Sequence, residues 1–183
     1  MHALLAVAAL AGAPADEPRY LRAIVHTSAL FVTMRATEAV IWPHPFAETG
    51  QLGARWGETF TTAPRFDPSR RFFEWDGDAW YINAIGHSLL GMELHFRARM
   101  CDFGWAGSLG YSAAASAVWE YGFEGNAVRA SALDLVWTPL AGLALGEARY
   151  ALFRAAPRNF IVRFLVDPLG GIDHAITDNA CGW

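Results

Sequence analysis

One histidine and two acids stand out in this chain: His87, Glu120 and Asp134. Imidazole and carboxyl groups are the side chains that acid–base catalysis draws on most. Together they also make a donor set for a divalent metal with a position left open. What joins the three is their place in a pattern. Asn83, His87, Gly91 and His95 form one row of small or polar residues at four-residue spacing. Gly104, Ser108, Ser112, Ser116 and Glu120 form a second, and Asp134, Thr138, Gly142 and Gly146 a third. Residues four apart share one face of a helix. Small side chains there let two backbones approach closely, and polar ones bond across the contact.

The elements that must position these groups are three helices, at about 80–99, 105–121 and 131–153. Short connections make consecutive helices antiparallel neighbours. The start of the first, the end of the second and the start of the third then meet at one end of a bundle, which is where the histidine and the two acids lie. Two readings follow. In one the trio is a working site, with His87 as base or ligand and the carboxyls as acids or ligands. In the other it is a buried cluster that only fixes helix register: Asp134 belongs to a capping box opened by Ser131, and Glu120, unfavourable near a helix C-terminus, pairs with His87 or Arg129. No HExxH, GxSxG, Walker loop or GxGxxG occurs, so no standard hydrolase or nucleotide motif decides between them.

The remaining chain reads as helix and connection. Residues 19–42 carry a helical pattern interrupted by Arg22, His26, Arg35 and Glu38. Charges at that density disfavour a simple membrane span and suit a helix lying on the bundle or in the membrane interface. His26 reads as a surface or boundary residue. Residues 43–72 are broken by Pro43, Pro45, Pro64, Pro68 and several glycines, with Trp42, Phe46, Trp56 and Phe60 as apolar anchors. Asp76-Gly77-Asp78 is a turn, with Asp78 placed to cap the helix after it. Pro139 interrupts the third core helix and should free a carbonyl near Leu135. At the opposite end, Glu147 is placed to pair with Arg97 or Arg99. A short amphipathic piece, 158–166, precedes the tail. The fold expected is all-α, a bundle of four to five helices with one long irregular connection and with membrane association left open. Its parts are 1–15 as a secretory signal, 16–72 as N-terminal helix and connection, 73–171 as helical core and 172–183 as tail.

Composition bounds the function. The 183 residues are 54% hydrophobic and 17% charged, against roughly 45–50% and about 25% in ordinary soluble domains. The shift points to a membrane-associated or heavily buried chain. A formal charge of −4 and the lack of a basic face argue against a nucleic-acid partner. Met1–Ala15 is apolar and ends Ala13-Pro14-Ala15, a small-x-small cleavage signature. It implies export to the periplasm or envelope, where lipid or envelope components become the expected partners. There Cys101 and Cys181 can pair; their spacing fits no zinc pattern, and the sequence alone leaves pairing and free thiols equally open.

The series FEWDGDAW, Asn83, His87-x-x-x-Gly91, Ala98-Arg99, Ser116-x-x-Trp119-Glu120-Tyr121, Glu124, Ser131-x-x-Asp134-Leu135, Thr138, Gly142, Leu145-Gly146-Glu147 and Asp167-Pro168-x-Gly170 resembles the bacterial domain-of-unknown-function family 3943. The resemblance covers about residues 73–171 and implies an exported helical envelope protein; it supplies no reaction. Ala130 and Ser88 stand where that family tends to have proline. Two functions are therefore expected in parallel: a structural, membrane-associated envelope protein, or an envelope enzyme acting on a lipid or cell-wall substrate through His87, Glu120 and Asp134.

Overall fold

A computed structural model describes residues 19–170 and Cys181. The expected signal segment and nearly all of the tail lie outside the described residues. Helices account for the architecture: α1 (Tyr20–Ile41), a single turn α2 (Pro43–Phe46), α3 (Leu52–Thr61), α4 (Ser88–Met100), α5 (Trp105–Val118), α6 (Ala132–Ala155) and α7 (Phe160–Val166). Among the described residues the one piece of β-pairing is an isolated bridge between Arg65 and Ser131. The fold is all-α, as expected.

The core is α4, α5 and α6, and the small-residue rows are what bring them together. A Cβ on Gly91 would lie 1.9 Å from the carbonyl oxygen of Thr138, and one on Gly142 would lie 2.5 Å from that of Gly91. Ser112 Oγ is 3.1 Å from the same Gly142 position, so the three helices meet at this point. Gly146 receives the His95 ring in the same manner. The rows are buried apart from Gly104, which is exposed at the start of α5. Apolar packing flanks this polar seam: Phe31 of α1 with Leu90, Leu94, Ala115 and Trp119 on one side, Phe96, Met100 and Phe153 on the other.

Two helix ends depart from α geometry. Ile82–His87, ahead of α4, and Trp119–Glu124, following α5, are π-helical turns. Such turns hold one extra residue, widen the coil and re-aim the side chains in them. The first lets Asn83 Nδ2 donate to both oxygens of Asp76, at 2.8 and 3.0 Å, and to Phe73 O. The second stacks Trp119 on Phe123 and turns Glu120 inward.

The N-terminal half wraps this core. Tyr111 of α5 holds α1 by bonds to Thr27 Oγ1 and Ala23 O. Arg35 reaches Phe46 O, Phe123 O and Asn126 Oδ1. The connection is more ordered than the sequence suggested. It contains α3, whose Trp56 and Thr59 bond the carbonyls of Gly122 and Gly125. It then runs extended past Ser131, with Arg65 N donating to Ala130 O and Ala132 N donating to Arg65 O. Cys101 and Cys181 are joined in a disulfide. Among the described residues no helix is long and apolar enough to cross a membrane.

Candidate polar site at the end of the bundle

The convergence expected from topology is present. His87, Glu120 and Asp134 are all buried, and each offers a ligand atom within 4.8 Å of those of the other two. His87 Nε2 lies 3.5 Å from Asp134 Oδ2, and Nδ1 lies 3.0 Å from Thr138 Oγ1, one turn further along α6.

Ser131 caps α6 by accepting from Asp134 N–H at 3.1 Å. The return half of the capping box is not made by Asp134. Ser131 N–H donates to Glu120 Oε2 instead, at 2.8 Å. This corrects the reading of Asp134 as a capping residue: its carboxyl is left to face His87 and Asp76. Glu120 pairs with neither His87 nor Arg129 in the manner expected; its unfavourable position at the end of α5 is met by a backbone N–H, while Oε1 takes no hydrogen bond.

Asp76 is the member that sequence reasoning missed. It accepts from Ser131 Oγ at 2.6 Å, from Asp78 N–H at 3.0 Å and from Asn83. The Asp-Gly-Asp turn was visible, and so was Asn83; the signal absent from the sequence was the π-turn that aims one at the other. Asp78, expected as a helix cap, pairs with Arg65 at 2.9 Å.

Burial and these partners separate the acids. Burial alone would raise Asp76, but bonds from Ser131, the Asp78 amide, Asn83 and Asp134 outweigh it and hold the carboxyl below its ordinary range. Burial, with the Asp76 charge, lifts Asp134 to about 9, so Asp134 is protonated at neutral pH and donates to Asp76. Two carboxyls this close do not ionise together. Burial and the charges of Glu124 and Asp134 raise Glu120 well above the usual value. Burial lowers His87 to about 4, leaving a neutral imidazole.

His87 also has an outlet. It lies on the wall of a cavity of about 320 Å³ between α1 and the two π-turns, lined by Met34, Ile41, Trp42, Ile82, Leu90 and Trp119, with Glu38 and Glu124 as its acids. Burial raises Glu38 to about 7; burial and the charges of Glu38 and Asp78 raise Glu124 to about 8. The cavity therefore carries little charge on the acid side of neutrality and gains it as pH rises through these values.

At the other end of the bundle, Glu147 pairs with Arg99 and with His95, each at 2.8 Å. Glu93 and Asp167 are bridged by Arg97 and Arg149, and His26 lies 2.9 Å from Glu93. His26 is buried, which corrects the expectation of a surface position.

The class this defines is an all-helical domain built on glycine-mediated backbone contact, with an imidazole–carboxyl cluster buried at one end. Residues 72–160 match the model of a family described as a domain of unknown function (DUF3943). No curated protein and no solved structure matches the chain.

Proposed function

We propose that the protein is an exported cell-envelope protein that works on a membrane face, its helices held in register by the buried His87, Glu120 and Asp134 cluster. The observation that carries this is an apolar surface exposed among the described residues. Leu89 of α4, Val136, Leu140, Leu145 and Leu152 of α6, and Leu165 and Leu169 in and after α7 are all exposed, Leu165 by 74%. Leu89, Leu145, Leu152, Leu165 and Leu169 line one open groove of about 890 Å³. Contiguous apolar surface rimmed by charge marks a protein or membrane contact. A peripheral seat on lipid fits helices too interrupted by charge to span. The Cys101–Cys181 bridge and the apolar Met1–Ala15 segment support an oxidising compartment reached by export.

Cell fractionation tests this. The protein should be recovered with the envelope, be released from the membrane pellet by carbonate, and resist thiol alkylation until reduced. Recovery in the cytosol with both thiols free contradicts it.

The cavity at His87 favours a second reading, an envelope enzyme acting on an amphipathic lipid or cell-wall substrate. A neutral imidazole at the end of an apolar cleft can accept a proton there, although burial, holding it at about 4, keeps it a weak base. Native mass spectrometry of protein taken from membranes should show a co-purifying amphiphile, lost when Leu90→Trp fills the cavity. Protein that carries no amphiphile removes this reading.

A further inference from the structure

We propose that His87, Glu120 and Asp134 form a binding site for a single divalent transition metal of the zinc class. This goes beyond the envelope reading and does not depend on where the protein resides. Three independent features of the geometry lead to it. First, the donor atoms of one imidazole and two carboxyls come within 4.8 Å of one another from three different helical segments. A tetrahedral ion with bonds of about 2.0–2.1 Å holds its ligand atoms about 3.3 Å apart, and His87 Nε2 is already 3.5 Å from Asp134 Oδ2.

Second, Glu120 is 2% exposed and spends only one oxygen on the protein. Its Oε1 is buried with no hydrogen-bond partner. A buried orphan acceptor is costly unless something occupies it, and a cation bridging Glu120 to His87 and Asp134 does so.

Third, the surroundings are those of a metal site. Metal-binding histidines donate their second ring N–H to a fixed acceptor, which sets the tautomer. Thr138 Oγ1 stands 3.0 Å from His87 Nδ1 and serves as that acceptor, leaving the Nε2 lone pair toward Asp134. Ser131 N–H braces the Glu120 carboxyl, and the Ser131 hydroxyl ties Asp76 to the Asp134 backbone amide. The cavity wall at His87 provides an approach from outside. Binding displaces the protons these carboxyls carry, and an imidazole with two carboxylates then selects zinc-class metals over magnesium or calcium, which prefer all-oxygen shells.

The test uses the full chain without a histidine tag, stripped with chelator and titrated with Zn²⁺ by calorimetry. One equivalent should bind, and the melting temperature should rise with Zn²⁺ and not with Mg²⁺. Glu120→Gln keeps the acceptor for Ser131 and should weaken Zn²⁺ by at least a hundredfold; His87→Ala should abolish it. Thr138→Val, which removes only the orienting acceptor, should cost about ten- to a hundredfold. His44→Ala controls for surface zinc, because His44 and Glu48 form an exposed pair on α2 and the segment after it. An absence of binding overturns the proposal. So does binding that is lost in His44→Ala yet retained in folded Glu120→Gln. Neither outcome touches the fractionation result, so the metal site and the envelope role fail separately.

Discussion

Protonation is where single residues leave the clearest signature. Glu38 and Glu124 share the cavity, facing each other with Arg35, Arg65 and Asp78 nearby. Their folded-state values, about 7 and about 8, lie above those of an unfolded chain. The folded protein therefore binds more protons than the unfolded one between pH 4.5 and 8, and stability from these groups falls as pH rises through that window. His87, lowered to about 4, acts oppositely, but only below its unfolded value of about 6.5. Between pH 6.5 and 8 the two carboxyls act without that offset, and Asp134 and Glu120, which burial also raises, add to them. The melting temperature should decline over this interval, and Glu124→Gln should flatten the decline; an equally steep slope in the variant would remove Glu124 as its source. Glu93 shows the contrary arrangement. Burial would raise it, but the His26 bond and the charges of Arg97 and Arg149 hold it at about 2, so its contribution persists until strongly acid pH.

Helices were legible where a repeat spelled them out. Four-residue rows predicted α4, α5 and α6 and their mutual contact because a glycine facing a backbone carbonyl leaves no other efficient packing. The prediction at this scale is correspondingly sharp. Gly91→Ala puts a methyl on the Thr138 carbonyl, and such overpacking costs about 1–3 kcal/mol or more. Thermal melting should fall by several degrees, whereas Gly104→Ala, at an exposed position with open space, should change little. Equal melting temperatures for the two would refute the close-approach seam. The π-turns were not legible. They need an extra residue per coil, which no composition rule announces, and they are stabilised by partners outside the turns themselves: Asp76, ahead of the first, for Asn83 and Ser131, after the second, for Glu120. The same lack of a local signal hid the true role of Asp134. Local spacing allowed it to close a capping box, but Glu120, arriving from another helix, took that amide first. Helix α3 was missed because glycines within it weaken helical propensity; its bonds to Gly122 and Gly125 hold it in place.

At the scale of the molecule, two long-range devices tie the ends to the core. One is ionic. Arg97, 1% exposed, links Glu93 at 2.9 Å to Asp167 at 2.7 Å, the latter seventy positions beyond Arg97 in sequence. Sequence spacing offers Arg97 or Arg99 to Glu147; Arg99 takes it, and the fold sets Arg97 against Glu93 and Asp167. Breaking a buried pair from one side strands the other charges and costs about 3–5 kcal/mol. Arg97→Met should therefore lower the denaturant midpoint by far more than Arg70→Met, whose partner Asp67 is exposed. The other device is covalent. Cys101 and Cys181 close a loop with a separation of 80 residues, worth roughly 4–5 kcal/mol in the chain-entropy account. Reduction should lower the melting temperature markedly; an unchanged transition would mean that the bridge constrains little.

That bridge has a geometric corollary. Arg19 N–H donates to Cys101 O, and the Arg22 guanidinium donates to Cys181 O. The first and last described points of the chain thus share one small patch at the foot of α4. A bundle gathered in this way is suspended from a single attachment spot, like a bell from its yoke. It can be spliced into a surface loop of another protein without any of its seams having to open.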